Sequence, residues 1–329
     1  LRHKYGDSVI LTLTPNPSID ATFQLTGTLI PGGVNRLSSA TSVAGGKGIN
    51  VSHAIYKAQH STLAVFPAAA GDPFLSLLDN TKVPYQCTPV SDPVRVNTTL
   101  ADPAGETTKV NGVGAVLTES DITAMEKTLV EHAQQADWVV MAGSLPPGVP
   151  ENWYSHLVDL LRAQAPNVKI AIDTSDAPLL AVANDLEKHH ADIMTPNSLE
   201  LGQIVGVSGT SLEAEALAGN YEPVIIAATK LVKRGLPMAL ITLGAAGAVL
   251  VTDNGVWLAT SPPVTPLSTV GAGDCTLAGF VMGISDGLSP ERALALGVAY
   301  GSTAVTLPGT TIPTPNQVDA DRITIRALV

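Results

Sequence analysis

The strongest constraint on the fold is the alternation of short apolar runs with longer amphipathic ones from residue 119 onward. Apolar spacing predicts helices over 120–134, 151–164 and 177–188. Short buried-type strands follow them over 138–141, 168–172 and 192–194. Strands separated by helices pair in parallel, and the helices cover both faces of the sheet. The strands end in polar clusters: Gly143-Ser144-Leu145-Pro146, Asp173, and Thr195-Pro196-Asn197-Ser198-Leu199-Glu200. In an open parallel sheet the carboxyl ends of the strands share one crevice, where ligands bind.

The rest of the chain fits the same plan. A first strand over 9–13 is stopped by Thr14-Pro15-Asn16-Pro17, because neither proline can continue a ladder. Asp20 follows just past that strand's end, where it can hydrogen-bond the hydroxyls of a polyol. A late strand over 239–243 runs into Gly244-Ala245-Ala246-Gly247, then a hairpin over 248–258 turning at Asp253-Asn254-Gly255, then helices over about 271–287 and 290–306. Residues 21–42, turning at Pro31-Gly32-Gly33, read as short strands. Residues 94–112, turning at Asp102-Pro103-Ala104-Gly105, read as a hairpin. The expectation is one α/β domain over 1–329, with these two patches forming a small β-sheet lid. No internal repeat, low-complexity tract or separable linker interrupts it.

Two glycine-rich stretches carry chemistry. Gly271-Ala272-Gly273-Asp274 precedes Leu277, Ala278, Phe280 and Val281 at helical spacing. Its glycines allow a tight turn, and a helix start leaves amide N–H groups aimed together at the positive end of the dipole. Such a place suits a phosphoryl oxygen. A carboxylate beside it is electrostatically awkward unless it acts. The task that suits Asp274 is to accept the proton of a hydroxyl attacking a phosphoryl group, while the amides hold the developing charge. The plainer reading is a turn with an Asp cap. Gly45-Gly46-Lys47-Gly48-Ile49-Asn50 opens another helix through Ala54, Ile55 and Ala58 and adds a positive charge. Gly48 stands where a Walker loop needs Ser or Thr, so this is a different device.

Charge narrows the partners. Eighteen basic against twenty-nine acidic residues among 329 leave a net charge of −11, which argues against a nucleic-acid face and requires local cations for any anionic substrate. Cys87 and Cys275 are too few for a disulfide framework or a cysteine zinc site, and suggest a reducing compartment. Cys275 reads as a small residue filling a turn, with a thiolate at the helix start as the alternative. The stretch Leu1–Asp7 lacks the apolar core of a signal peptide, and no run approaches about 18 apolar residues, so no membrane attachment and a cytoplasmic location are expected.

Taken together, Gly45-Gly46-Lys47-Gly48-Ile49-Asn50 and Gly271-Ala272-Gly273-Asp274 resemble the two signatures of the PfkB, or ribokinase, family of carbohydrate kinases. Supporting elements stand in family order: Thr12 to Asp20, Val34-Asn35-Arg36, Gly143-Ser144-Leu145-Pro146, Asn197-x-x-Glu200 and Thr242-x-Gly244-x-x-Gly247. The resemblance covers nearly the whole chain and implies a ribokinase-like three-layer α/β sandwich. It makes Asp274 the catalytic base, with the amides of Gly271, Ala272 and Gly273 as the anion hole. Asn197 and Glu200 would organise Mg2+ and its waters. Thr242, Gly244 and Gly247 would lie along ATP, and Asp20, Gly45, Gly46 and Asn50 would hold the sugar. A homodimer through the lid is implied as well.

Within the family, the opening Thr-Leu-Thr, Val34-Asn35-Arg36 and Lys47 are similar to the 1-phosphofructokinase and tagatose-6-phosphate kinase branch. Arg36, Lys47, Arg95 and Lys109 are expected to converge on a phosphate already present on the sugar, with Ser144 adding a hydroxyl. Two departures stand out: Thr195 occupies a position where many phosphosugar members have Lys, and the Glu common after Asn111 in the phosphofructokinase branch is absent. The implied reaction is ATP- and Mg2+-dependent conversion of fructose 1-phosphate to fructose 1,6-bisphosphate. Alternatives are tagatose 6-phosphate or fructose 6-phosphate as substrate, or a catalytically silent sugar-phosphate-binding protein. A nicotinamide dehydrogenase is disfavoured, since no strand leads into Gly-x-Gly-x-x-Gly.

Overall fold

The computed structural model describes residues 8–188 and 191–328; Leu1–Asp7, read above as lacking a signal peptide, lie outside them. In chain order the strands are β1 (Val9–Leu13), β2 (Ser18–Leu25), β3 (Leu37–Gly45), β4 (Ser61–Ala69), β5 (Tyr85–Val90), β6 (Arg95–Ala101), β7 (Thr107–Asn111), β8 (Trp138–Ala142), β9 (Lys169–Asp173), β10 (Ile193–Met194), β11 (Met238–Thr242), β12 (Ala248–Thr252), β13 (Gly255–Thr260) and β14 (Thr324–Ala327). The helices are α1 (Lys47–Lys57), α2 (Pro73–Asp79), α3 (Glu119–Ala133), α4 (Trp153–Gln164), α5 (Asp176–Asp185), α6 (Ser198–Val205), α7 (Gly209–Leu217), α8 (Glu222–Lys233), α9 (Ala272–Ser285) and α10 (Pro290–Ala304).

Ten strands form one sheet in the order β14-β13-β12-β11-β10-β9-β8-β1-β4-β5. Neighbours from β11 to β5 are parallel, whereas β12, β13 and β14 extend the sheet antiparallel. Strand β8 explains why the parallel part reads as continuous apolar runs. Its Val139 and Met141 join the core beneath α3–α8, while Trp138, Val140 and Ala142 join the core beneath α1, α9 and α10. With both faces covered, no position in such a strand favours a polar residue. No helix among the described residues is long and apolar enough to cross a membrane.

Helix α9 is buried continuously from Asp274 to Gly283. It packs on α10 through small residues: a Cβ on Gly279 would lie 2.9 Å from the Gly297 Cα. Side chains such as Leu277 and Phe280, each 0% exposed, contribute about 2 kcal/mol apiece by burial, which anchors the helix despite the buried charge in its first turn.

The second sheet has four strands in the order β3-β2-β6-β7, so both patches do enter one sheet, joined by the parallel pair β2–β6. Its strands run further than 21–42 implies. Strand β2 begins at Ser18 and β3 continues to Gly45. Asp20 therefore stands on a strand of the small sheet and not in a loop past β1. The reason is Gly46, whose φ of 116° makes the turn from β3 into α1 in a single residue, letting the ladder continue up to the helix.

Candidate active site

The site grows from the N-terminal turns of α1 and α9. Gly271 is left-handed, with φ 79°, and α9 has no side-chain cap. The Ala272 amide makes only a long contact of 3.4 Å to the Thr269 carbonyl. The amides of Gly273 and Asp274 have no carbonyl within the helix to bind. The space beside Gly273 is open to at least 4 Å. This turn therefore offers donors to an outside anion.

Asp274 is 6% exposed, and its Oδ2 accepts a hydrogen bond of 2.7 Å from Asn50 Nδ2 on α1. Burial pushes its carboxyl up to about 7; the Lys47 cation opposes this, and the negative charges of Asp173 and Asp20 reinforce it. A carboxyl poised there suits proton transfer near neutral pH. Helix α1 is fixed by a buried hydroxyl chain. Thr12 Oγ1 meets Ser52 Oγ at 2.8 Å, Ser52 meets Thr62 at 3.0 Å, and Thr62 donates to the Ile10 carbonyl. Asn50 is thus held against Asp274 by the main core.

Lys47, expected with the other cations on a sugar phosphate, is paired with a carboxylate. Its Nζ donates to Asp173 Oδ1 at 2.7 Å, at the end of β9. Burial works against its charge, but Asp173 and Asp274 outweigh it and hold the ammonium above its ordinary value. Two negative neighbours keep it between Asp274 and the strand ends. Arg36 stands apart from the Asp20 row within the chain. It lies beyond the far end of the β2–β3 ladder, five residues along β2 from the Asp20 row, a span of about 17 Å.

Of the other residues expected on the sugar, Asp20, Gly45, Arg95 and Lys109 stand in neighbouring rows of the small sheet. Register puts Ser18, Gly45 and Arg95 in one row of the small sheet, and Asp20, Val43, Asn97 and Asn111 share the same face two residues on. Lys109 faces the same way in the row after that, opposite Thr99. Asp20 Oδ1 accepts from Ser18 Oγ at 2.7 Å and from Asn97 Nδ2 at 3.2 Å. Burial raises the Asp20 pKa, against the pull of these donors and of Arg95 and Lys109. A Cβ on Gly45 would fall on the Asp20 carboxylate, which explains the glycine.

The residues expected along the nucleotide cluster where β10 and β11 end. Thr242 bridges Asn197, and its N–H donates to the Pro196 carbonyl at 3.2 Å. The turn over Gly244–Ala246 leads to Gly247, where φ is 93° and a Cβ would strike the Ala259 carbonyl. Asn197 caps α6: its Oδ1 accepts from the N–H groups of Leu199 and Glu200, and Glu200 Oε2 accepts from the Asn197 N–H. The Asn197 oxygen is thereby engaged in the cap, which fixes Glu200 beside it. Burial raises Glu200, with Lys47 pulling it down and Asp173 and Asp176 pushing it up.

A scan against family models matches residues 14–317 to the pfkB family carbohydrate kinase model. The chain belongs to the PfkB family of carbohydrate kinases. It is 32% identical to the 1-phosphofructokinase of Bacillus subtilis over 89% of this chain and 91% of that one. It is 34% identical to the 1-phosphofructokinase of Haloferax volcanii, covering 93% of each. Among solved structures, phosphofructokinase-2 from Escherichia coli in complex with substrates and products superposes with a TM-score of 0.83 at 29% identity, covering 94% of this chain and 96% of that one. As a PfkB member the chain is a sugar kinase, transferring phosphate to an alcohol.

Two residues enter this PfkB site without a motif to announce them. Asp173 has only its position at a parallel strand's carboxyl end, and Asn97 only the alternation that puts it two residues after Arg95. Thr195, in place of the Lys of many phosphosugar members, is 8% exposed, with a hydroxyl that has no partner among the described residues. Cys275 fills the core: burial foremost, then Asp274, push its thiol up, which favours the neutral thiol. Cys87 is likewise a free thiol raised by burial.

Proposed function

We propose that this kinase phosphorylates a ketohexose phosphate from ATP, with fructose 1-phosphate going to fructose 1,6-bisphosphate as the preferred reaction and Asp274 as general base. The observation that carries the kinase reading is the uncapped turn at Gly271–Asp274; the phosphosugar part draws on a cavity of about 460 Å³ lined by Asn16, Arg95, Gly112 and Ser144, among others. Arg95 Nη1 donates to the Gly112 carbonyl at 3.3 Å, while its Nε is buried without a partner. Burial lowers the pKa of this guanidinium, with Asp20 opposing. A phosphate carried by the sugar would give Arg95 the missing acceptor.

In this reading Asp20 and Asn97 hold sugar hydroxyls. The attacking hydroxymethyl oxygen gives its proton to Asp274, whose Oδ2 is already oriented by Asn50. The amides of Gly271, Ala272 and Gly273 bind the transferred phosphoryl oxygens as charge develops. Asp173 holds Lys47 at the same place. Thr242, Gly244 and Gly247 line the nucleotide. No group of three acidic, His or Cys side chains among the described residues can hold a metal ion. The residues do fit an ion that keeps most of its waters and rests on one carboxylate and the nucleotide's phosphates: Glu200 Oε1, the oxygen left free by the cap, would hold Mg2+ through water. Bound there, Mg2+ would neutralise phosphate charge.

The small sheet acts as the lid that excludes water. It also offers the contact for a homodimer, since Val34 is 83% exposed and Val110 59%. A sedimentation measurement that returns a monomer at micromolar concentration overturns the dimer.

The activity is tested by ADP release with ATP and Mg2+ on fructose 1-phosphate, fructose 6-phosphate, tagatose 6-phosphate and free fructose. A preference for one phosphosugar of at least about a hundredfold in kcat/KM is expected, since a lost phosphate contact strands buried donors. Binding without turnover on any of them overturns the reading in favour of a silent sugar-phosphate binder. The second choice, fructose 6-phosphate, draws on the likeness to phosphofructokinase-2.

A further inference from the structure

Asn16 sits between β1 and β2 and is 4% exposed. Both hydrogens of its Nδ2 are placed: one goes to the Val113 carbonyl at 3.1 Å, the other to Ser144 Oγ in a longer bond of 3.3 Å. A carbonyl oxygen can only accept, so Val113 fixes which end of the amide is nitrogen. On the other side, a Cβ at Gly114 would fall on Asn16 Oδ1, and Gly114 has a φ of 106°. Three segments therefore meet on one side chain: the β1–β2 loop, the chain leaving β7, and the loop after β8.

The consequence falls on Ser144. A hydroxyl has one hydrogen to give and two lone pairs to offer. With Asn16 donating into a lone pair, the Ser144 hydrogen is turned away from Asn16, and it has no acceptor among the described residues. Ser144 lines the same cavity as Arg95. Without Asn16 the hydroxyl would turn freely, and the Val113 carbonyl would lose its donor.

We propose that Asn16 is a positioning residue that fixes Ser144 as a hydrogen-bond donor to the phosphate already on the sugar, and ties that donor to the end of the small sheet. The proposal rests on the phosphosugar-kinase reading. The test is steady-state kinetics of N16A, S144A and the double variant on fructose 1-phosphate and fructose 6-phosphate, with free fructose alongside. For whichever phosphosugar the parent enzyme prefers, N16A and S144A should each raise KM about tenfold, the size expected for one hydrogen bond to a charged group. Changes in kcat and in KM for ATP should stay within about twofold. In the S144A background N16A should add less than about twofold to KM. N16D keeps the shape of the side chain but can only accept, so it should capture the Ser144 proton and raise KM further; it is the second variant should N16A fail to fold.

An undiminished effect of N16A in the S144A background overturns the proposal, as does a fall in kcat with KM unmoved. If S144A raises KM and N16A does not, the positioning role alone fails. If S144A leaves KM unchanged, the reading of the cavity as the phosphate site fails, and the proposal with it.

Discussion

Two helices begin at the carboxyl edge of the large sheet and treat their first turns in opposite ways. At α6, Asn197 and Glu200 close on each other, each accepting from the other's backbone, and the helix start is satisfied from within. At α9, Gly271 has no side chain to offer, no cap forms, and the amides of the first turn stay available. Both starts carry the same dipole and the same orphan donors. A helix start becomes a place for a ligand where the sequence withholds the cap, and a support where it supplies one. The carboxylates differ in the same sense. Glu200 is oriented by its own helix, whereas Asp274 is oriented by Asn50 from another helix, 224 residues away in sequence.

The hardest test of that contrast is Asp274→Asn. It keeps the fold and the Asn50 neighbour but cannot take a proton, so kcat should fall at least about a hundredfold with a smaller change in KM. Near-parental turnover would remove Asp274 as the base. In the parent enzyme, kcat/KM should climb with pH through about 7, because only the ionised carboxylate accepts the proton. Stability should move the other way. Folding raises this carboxyl from 3.8 to about 7, so the protonated form suits the fold better. The contribution is fully present below about pH 4 and is lost as the pH rises through 7. Asp274→Asn should flatten that part of a pH series of melting curves.

Asn197→Ala should act through the scaffold and more weakly. Loss of the cap costs about 1 kcal/mol, or about 2 °C in Tm, and a loosened Glu200 should raise KM for ATP several-fold while leaving the sugar KM alone. Asn197→Asp, which caps as well, should restore most of it. A variant that shifts the sugar KM instead would mean that the capped start of α6 does not serve the nucleotide side.

Much of this was legible in the residues, because periodicity and glycine placement are local. Strand β8 and helix α3 follow their apolar spacing to within a residue or two at their ends, and Gly271 and Gly46 mark the two helix starts. Strand β4 was not legible, since an unbroken apolar run such as Val65-Phe66-Pro67-Ala68 does not separate strand from helix by period. Nor was the destination of each cation. Lys47 and Arg36 both flank motif residues, yet one is drawn to Asp173 and the other is held at the far end of a hairpin.

By itself the sequence determined the layered α/β architecture, the small sheet and both glycine-built helix starts, and it singled out Asp274 as the carboxylate to test. Those depend on what a backbone does within one turn or one strand. Only the tertiary structure decided that Asn50 orients Asp274, that Asp173 claims Lys47, and that Asn16 reaches Ser144. Each of those pairings joins residues more than a hundred positions apart, brought within hydrogen-bond reach only when helices pack onto a sheet whose parallel strands all end at the same edge.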